Sequence, residues 1–181
     1  MSAQLACLDI EQSEEEARVS ESSSVERMWA AFVAARPDVA GSDATYEAWH
    51  FCDNAADADE LAELVLSGRK RATAGALWSY EDEKEPLPKA GDFAIVTDWV
   101  GRARCVIRSS SVEVVPFEAV TDDFAATEGE GDGSLAYWRK EHWQAFSRGL
   151  AEIGRVPDLG MPVVCERFDV VFVAEPVAAK G

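Results

Sequence analysis

The chain lacks closely spaced cysteines, long apolar runs and an excess of basic residues. Its four cysteines, at positions 7, 52, 105 and 165, contain no Cys-x-x-Cys pair, which excludes a zinc ribbon. His50 and Cys52 form a lone His-x-Cys without the second cysteine pair of a zinc deaminase. No apolar run approaches the roughly 20 residues of a membrane span. The N-terminus has no basic region followed by an apolar one, so we predict a cytoplasmic protein with reduced thiols and no membrane partner.

Basic residues are outnumbered by acidic ones. The 17 lysines and arginines face 34 aspartates and glutamates, a formal net charge of −17. Such a surface repels a polyphosphate, because nucleic-acid binding depends on neutralising phosphates with Lys and Arg. Weak or no binding of a long nucleic acid is therefore expected, whereas a neutral nucleoside is not disfavoured. Any phosphate would be expected at the one local basic group, which comprises Arg69, Lys70, Arg71, Arg102, Arg104 and Arg108.

The composition divides the chain into one domain with two tails. Residues 1–24 are rich in Glu and Ser and have no hydrophobic period, so they are predicted to be a disordered acidic tail. Residues 25–176 form the predicted domain, and 177–181 form a short C-terminal tail. Cys105 and Cys165 lie in apolar runs and are expected to be core residues.

The hydrophobic periods predict an α+β protein with a small mixed or closed sheet. A first helix begins near Ser24 and ends before Pro37, and a second ends at Gly68. Ser134 is predicted to cap a long helix that runs to about residue 152. Period-2 patterns predict strands over 70–79, 93–98, 103–115 and 161–173, with a short helix over 118–126.

Two segments carry the residues of an acyl-transfer site. The first is Gly68-Arg69-Lys70-Arg71-Ala72-Thr73, and the second is the glycine-broken acidic loop 128–134. In such a site a lysine with a lowered pKa can serve as the base and a hydroxyl as the nucleophile. A carboxylate can orient both of them. Each residue also has an ordinary interpretation, since Lys70 could be a solvated lysine and Thr73 a β-branched strand residue. Because strand residues three apart face opposite sides, Lys70 must lie in the loop, or a bulge must intervene.

The acidic loop and the helix after it have competing interpretations. Three carboxylates in five residues could hold Mg²⁺ or Ca²⁺, but EF-hand spacing is lacking. Trp138 and His142 are four residues apart and share a helix face. Core packing is the favoured role for Trp138, and a base-stacking platform is the alternative, for which Trp78 and Tyr80 are also candidates.

Taken in order, these segments resemble the ASCH family, whose domains are similar to the PUA domain. The matching residues are Ala58-Asp59-Glu60-Leu61-Ala62, Leu66-x-Gly68-x-Lys70-x-Ala72-Thr73, Tyr80-Glu81, Leu87-Pro88-x-x-Gly91-Asp92, Val114-x-Pro116-Phe117, Phe124-Ala125-x-x-Glu128-Gly129-Glu130-Gly131-Asp132-x-Ser134-Leu135-x-Tyr137-Trp138-Arg139-x-x-His142 and Met161-x-Val163-Val164-Cys165-Glu166-x-Phe168. The resemblance implies a PUA-like small mixed β-barrel with flanking helices and a cleft at one barrel mouth. The Gly-Glu-Gly-Asp loop is typical of a longer single-domain bacterial branch.

The resemblance also implies a function related to RNA or modified nucleosides. Small members remove the acetyl group of N4-acetylcytidine, and their catalytic lysine, threonine and glutamate correspond to Lys70, Thr73 and Glu128. Glu130 is a second candidate for the working carboxylate, and Arg71 stands where a small polar residue is common. Thr73 would attack the acyl carbon, Lys70 would take its proton, and Glu128 would orient Lys70 or the leaving amine.

Further expectations concern ligands and alternatives. The candidate substrate-binding residues are Arg69, Arg71, Tyr80, Glu130, Asp132, Ser134, Trp138, Arg139 and His142. The expected partner is a small nucleoside or RNA-derived ligand, with neither metal nor cofactor, and a homodimer is compatible with the sequence. The alternatives are a non-catalytic RNA- or nucleotide-binding module, and a ribonuclease using Lys70 with His142 or Glu128.

Overall fold

The computed structural model describes residues 24–41 and 43–174. The acidic tail predicted over 1–24 lies outside these residues, apart from Ser24, which is helical. The C-terminal tail predicted over 177–181 lies outside them entirely. In the part of the chain that is described, no helix has the length and apolar character that crossing a membrane requires.

The helices follow the predicted pattern closely, with one addition. Helix α1 covers 24–35. The others are α2 (Ala55–Leu66), α3 (Leu77–Glu83), α4 (Asp122–Glu128) and α5 (Leu135–Glu152), with a 3₁₀ turn at Phe117–Ala119. Ser134 caps α5 as predicted, because its side chain accepts a hydrogen bond from the Tyr137 N–H at 3.1 Å. The Thr121 hydroxyl caps α4 in the same way through Phe124.

Five strands form one sheet within the described residues. They are β1 (Tyr46–Trp49), β2 (Ala72–Ala76), β3 (Phe93–Thr97), β4 (Ala103–Pro116) and β5 (Pro162–Phe172), arranged in the order β1-β3-β4-β5-β2. Barrel closure requires the two outer strands to pair, and here β1 and β2 remain the edges. The α+β class is therefore correct, and the closed barrel predicted for this chain is wrong.

The strand predicted over 70–79 is also shorter than expected. Strand β2 ends at Ala76, and helix α3 begins directly at Leu77. The segment after Ala76 contains acids and long side chains that favour a helix, and Lys84 ends that helix in the left-handed conformation at φ 58°. Leu77 and Trp78, which fall within the predicted strand, therefore lie in a short helix that packs beside β2.

The chain divides into two compact units, each with its own core. The first comprises, among the described residues, 24–62 without 42, 94–106 and 172–174. Its core includes Phe32, Ile95 and Cys105, and the Trp29 and Phe32 rings pack 5.4 Å apart.

The second unit comprises 63–93 and 107–171 and contains the predicted site. Its core is built from one face of β2 and β5 together with residues of α4 and α5. The buried members are Ala72, Ala76, Phe117, Val120, Phe124, Ala125, Trp138, Leu150, Met161, Val163 and Cys165. Cys165 and, in the first unit, Cys105 are buried as predicted.

Candidate functional site

The segment that carries Lys70 is fixed by the end of one helix and the start of one strand. Gly68 terminates α2 at φ 84°, a conformation that favours glycine. The Lys70 N–H then donates to the Leu64 carbonyl at 3.0 Å. The next N–H, of Arg71, donates to the Thr127 carbonyl on α4 at 2.9 Å. Lys70 therefore lies in the loop before β2, as the strand geometry required, and is held between α2 and α4.

The Lys70 ammonium is buried between two carboxylates. Lys70 has no exposed surface, and its Nζ lies 3.1 Å from Glu128 Oε1 and 2.5 Å from Glu130 Oε1. The Glu128 side chain is only 1% exposed, whereas that of Glu130 is 19% exposed. Both candidate carboxylates thus contact the lysine, with Glu128 on the inner side and Glu130 nearer solvent. The ordinary interpretation of Lys70 as a solvated lysine is therefore wrong.

Helix α5 fixes the second oxygen of Glu128. The Trp138 indole N–H donates to Glu128 Oε2, and His142 Nε2 lies 3.3 Å from the same oxygen. His142 Nδ1 is 3.1 Å from the Trp138 carbonyl, and the two rings stack at 4.1 Å. The predicted shared face of Trp138 and His142 is confirmed, as is core packing for Trp138, which is 2% exposed. All four polar side chains therefore form one connected cluster, the Lys70 cluster: Lys70, Glu128, Trp138 and His142, with Glu130 at its edge.

Charge pairing determines the protonation states in the Lys70 cluster. Burial alone lowers the pKa of Lys70, but the negative charges of Glu128 and Glu130 outweigh it and raise that pKa above its ordinary value. Burial likewise raises the pKa of Glu128, but the charge of Lys70 and the contacts with His142 and Trp138 lower it to about 2. At neutral pH the resting pair is therefore an ammonium and a carboxylate. The lowered lysine pKa expected from the sequence is not observed.

Two glycines allow the acidic loop to close over this cluster. Gly129 has φ 68°, and a Cβ added there would lie 2.4 Å from the Arg69 carbonyl oxygen. Gly131 has φ 53°, and its Cβ would meet the Tyr137 ring at 2.3 Å. The Arg69 guanidinium in turn donates to the Gly131 carbonyl. Close approach of backbone to backbone thus places Glu130 over Lys70.

Replacing Gly129 with alanine is expected to lower the free energy of unfolding by about 2 kcal/mol, because a positive φ and a backbone clash add to each other. Gly133→Ala is the matched control, since Gly133 also has a positive φ, 75°, but a Cβ there meets nothing within 4 Å. Urea unfolding of both variants measures the difference. Equal losses would show that the approach of Gly129 to Arg69 contributes nothing to stability.

Most of the remaining predicted site residues have structural roles. The Arg71 guanidinium donates to the carbonyls of Val65 and Lys70, and that of Arg139 donates to the Glu118 carbonyl. Asp132 accepts from the Ser134 N–H at 2.8 Å, which shapes the loop before α5. Thr73 is positioned by strand pairing, as the second residue of β2, and Tyr80 packs over Gly75 of the same strand.

Sequence reasoning missed a second buried polar group in this unit. Glu166 on β5 is 7% exposed, and its Oε1 accepts a hydrogen bond from the hydroxyl of Ser109 on β4, which is also 7% exposed. Two signals in the sequence pointed to it: Glu166 is one of the residues that carry the family resemblance, and it is a carboxylate in the largely apolar segment 163–168, where a charge is seldom left unpaired.

A small open cavity lies beside the helical core, on the face of the sheet that carries Cys165. Its volume is about 60 Å³, and its lining includes Ser111, Phe124, Cys165 and Arg167. A nucleoside-sized ligand needs several times that volume. Burial also raises the pKa of the Cys165 thiol to about 12, so this cysteine is protonated and unreactive. We assign no ligand to this cavity.

Comparison with known proteins identifies close structural relatives. A family model described as ASCH domain matches residues 47–172. The crystal structure of an ASCH domain from Lactobacillus crispatus JV V101 is 33% identical, with a TM-score of 0.78 over 82% of this chain and 94% of that one. A protein from Enterococcus faecalis V583 is 34% identical, with a TM-score of 0.74 over 82% of this chain and 88% of that one. No curated protein matches the chain.

Proposed function

The chain belongs to the ASCH domain family, and on that premise we propose that it hydrolyses the amide bond of an acylated pyrimidine nucleoside such as N4-acetylcytidine. The observation that carries the proposal is the buried ion pair between Lys70 and Glu128, which are 58 positions apart. Lys70 lies three residues before Thr73 in the sequence. A buried ion pair contributes little to stability compared with a well-packed apolar pair. Ionisable groups in such environments are concentrated at functional sites.

Lys70 acts in this proposal as an ammonium. Its raised pKa keeps the proton on Nζ, so the lysine suits a role as donor to the carbonyl oxygen when Thr73 attacks and negative charge develops. Glu128 orients Lys70, and Trp138 and His142 in turn fix Glu128. Glu130 covers the outer side of Nζ, so a substrate carbonyl takes the place of the Glu130 carboxylate. Glu130 therefore functions as a displaceable partner and Glu128 as the permanent one.

The ribonuclease alternative has weaker geometric support. It needs a histidine or glutamate able to exchange protons with an RNA ribose. His142 is 8% exposed, and its two ring nitrogens lie against Glu128 and the Trp138 carbonyl. Glu128 is paired with Lys70. The amide hydrolase needs neither group to reach the ligand directly, which is why this arrangement favours it.

The test is turnover of N4-acetylcytidine, followed by chromatography of the released cytidine. We expect hydrolysis by the full chain and its loss in Thr73→Val, which removes the hydroxyl but keeps the β-branched shape. Thr45→Val is the control, because Thr45 is exposed and lies in the other unit. Turnover should change little with ionic strength, because a neutral nucleoside makes no phosphate contacts.

The binding-module alternative gives an opposite result in the same assay. Single-stranded RNA held by the basic residues would lose affinity with a slope of about −0.7 per phosphate neutralised on a log–log salt plot. Sub-micromolar, salt-sensitive RNA binding with no turnover of any acylated nucleoside would replace the hydrolase proposal with that module.

A further inference from the structure

Glu166 lies beside Thr73 across a strand pair. Strand β5 runs antiparallel to β2, and Thr73 is directly opposite Glu166 in its register. Residues opposite each other in an antiparallel pair have Cβ atoms about 5 Å apart on the same face. The Glu166 carboxylate is buried and is held by the Ser109 hydroxyl from β4, the strand on the other side of β5. Ser109, Glu166 and Thr73 thus form a polar row across three strands.

This polar row lies on the sheet face opposite the helical core. Ala72, Ala74 and Ala76 pack in that core with Val163 and Cys165. Because strand residues alternate, Thr73 and Gly75 face the other way. A Cβ on Gly75 would lie 2.9 Å from the Tyr80 ring, so Tyr80 covers β2 on the same face as Thr73. A hydroxyl, a carboxylate and an aromatic side chain therefore share one surface of the sheet.

The proposed reaction leaves one chemical requirement unfilled. An alcohol attacks an amide efficiently only if a neighbouring group takes its proton. Lys70 is bound to two carboxylates and holds its own proton, so it cannot accept another. Glu128 is occupied by Lys70, Trp138 and His142. The carboxylate adjacent to Thr73 in the register is Glu166.

We propose that Glu166 is a further catalytic residue, the general base that accepts the Thr73 hydroxyl proton, with Ser109 positioning its carboxylate. This inference rests on the proposed hydrolase function. The Thr73 Oγ–carbon bond forms as the proton passes to Glu166, and the carbonyl electron pair moves to the carbonyl oxygen. When the C–N bond breaks, Glu166 returns the proton to the leaving nitrogen. Water then hydrolyses the Thr73 ester, giving one proton to Glu166, which passes it back to the Thr73 oxygen.

The test measures the reactivity of Thr73 itself, so it does not depend on the natural substrate. The full chain is incubated with p-nitrophenyl acetate, and acetylation of the peptide containing Thr73 is followed by mass spectrometry. We expect acetylation of Thr73 in the unmodified protein, slower by about 10²–10⁴-fold in Glu166→Gln. Glutamine keeps the size of the side chain and can still accept from Ser109. Ser109→Ala should have an intermediate effect.

A second variant separates proton transfer from a structural role. In Glu166→Ala, added formate should restore acetylation of Thr73, because a small carboxylate can occupy the emptied position and act as the base. Acetylation in Glu166→Gln within threefold of the unmodified rate overturns the proposal. Loss without rescue by formate also overturns it, in favour of a purely structural Glu166.

The outcomes also separate this inference from the proposed function. If acetylation of Thr73 depends on Glu166 but no acylated nucleoside is turned over, Glu166 is supported as the general base and the proposed substrate is contradicted. If N4-acetylcytidine is turned over but acetylation of Thr73 does not depend on Glu166, the proposed substrate is supported and the role of Glu166 as general base is contradicted. If the unmodified protein shows neither reaction, both the hydrolase function and the role of Glu166 are contradicted.

Discussion

Lys70→Met is expected to lower the free energy of unfolding by about 3–5 kcal/mol, because it leaves the Glu128 carboxylate buried without its countercharge. Methionine preserves most of the side-chain length, so lost packing contributes little. Lys89→Met is the matched control, since Lys89 is exposed and should change stability by less than about 0.5 kcal/mol. Urea unfolding at neutral pH measures both.

The double variant tests the cause of this loss. Glu128→Gln in the Lys70→Met background removes the uncompensated charge, so most of the lost stability should return. If the double variant is as unstable as the sum of the two single variants, the ion pair is not the source of the effect. A loss below about 1 kcal/mol in Lys70→Met alone would also contradict the buried pair, since exposed pairs contribute that little.

The second large effect is a loss of stability in acid. The pKa of Glu128 is about 2 in the folded protein against an ordinary value of 4.5, so folding favours its ionised form. This stabilisation is fully present above pH 4.5 and is lost as the pH falls from there to about 2. By linkage it amounts to roughly 3 kcal/mol. Lys70 behaves in the opposite direction, because its raised pKa stabilises the fold at all pH values below 10.5 and ceases to do so only in strong alkali.

Urea midpoints measured between pH 6 and pH 2 test this expectation. Glu128→Gln should be less stable at pH 6 but should show a flatter decline, because the titrating group is gone. Glu83→Gln serves as the control, since Glu83 is exposed and its removal should leave the decline unchanged. If Glu128→Gln and the unmodified protein lose stability in parallel, the depressed Glu128 pKa is absent.

Features set by local rules could be predicted from the sequence. Gly68 ends α2 because the backbone there adopts a left-handed conformation, which glycine favours. Ser134 begins α5 because its hydroxyl accepts a hydrogen bond from a backbone N–H of the first helical turn. The shared face of Trp138 and His142 follows from helical spacing alone. The family resemblance, also visible in the sequence, is confirmed by the match over residues 47–172.

Features that depend on distant partners could not be predicted. The protonation state of Lys70 is set by carboxylates 58 and 60 residues away, and an Arg-Lys-Arg run gives no sign that its lysine is buried. The same limit applies to the open sheet, since closure depends on how the strands are ordered rather than on their individual patterns. The role proposed for Glu166 likewise depends on the strand register that places it opposite Thr73.

The span between Lys70 and Glu128 also affects how the protein folds. A loop of 58 residues must close before the two charges meet, and closure of that length carries an entropic cost that only long-range packing offsets. Before α4 and α5 are in place, a dehydrated Lys70 ammonium would lack its countercharges, so the lysine stays hydrated in the early ensemble. We therefore expect the Lys70 cluster to form after the folding transition state and to act mainly by slowing unfolding.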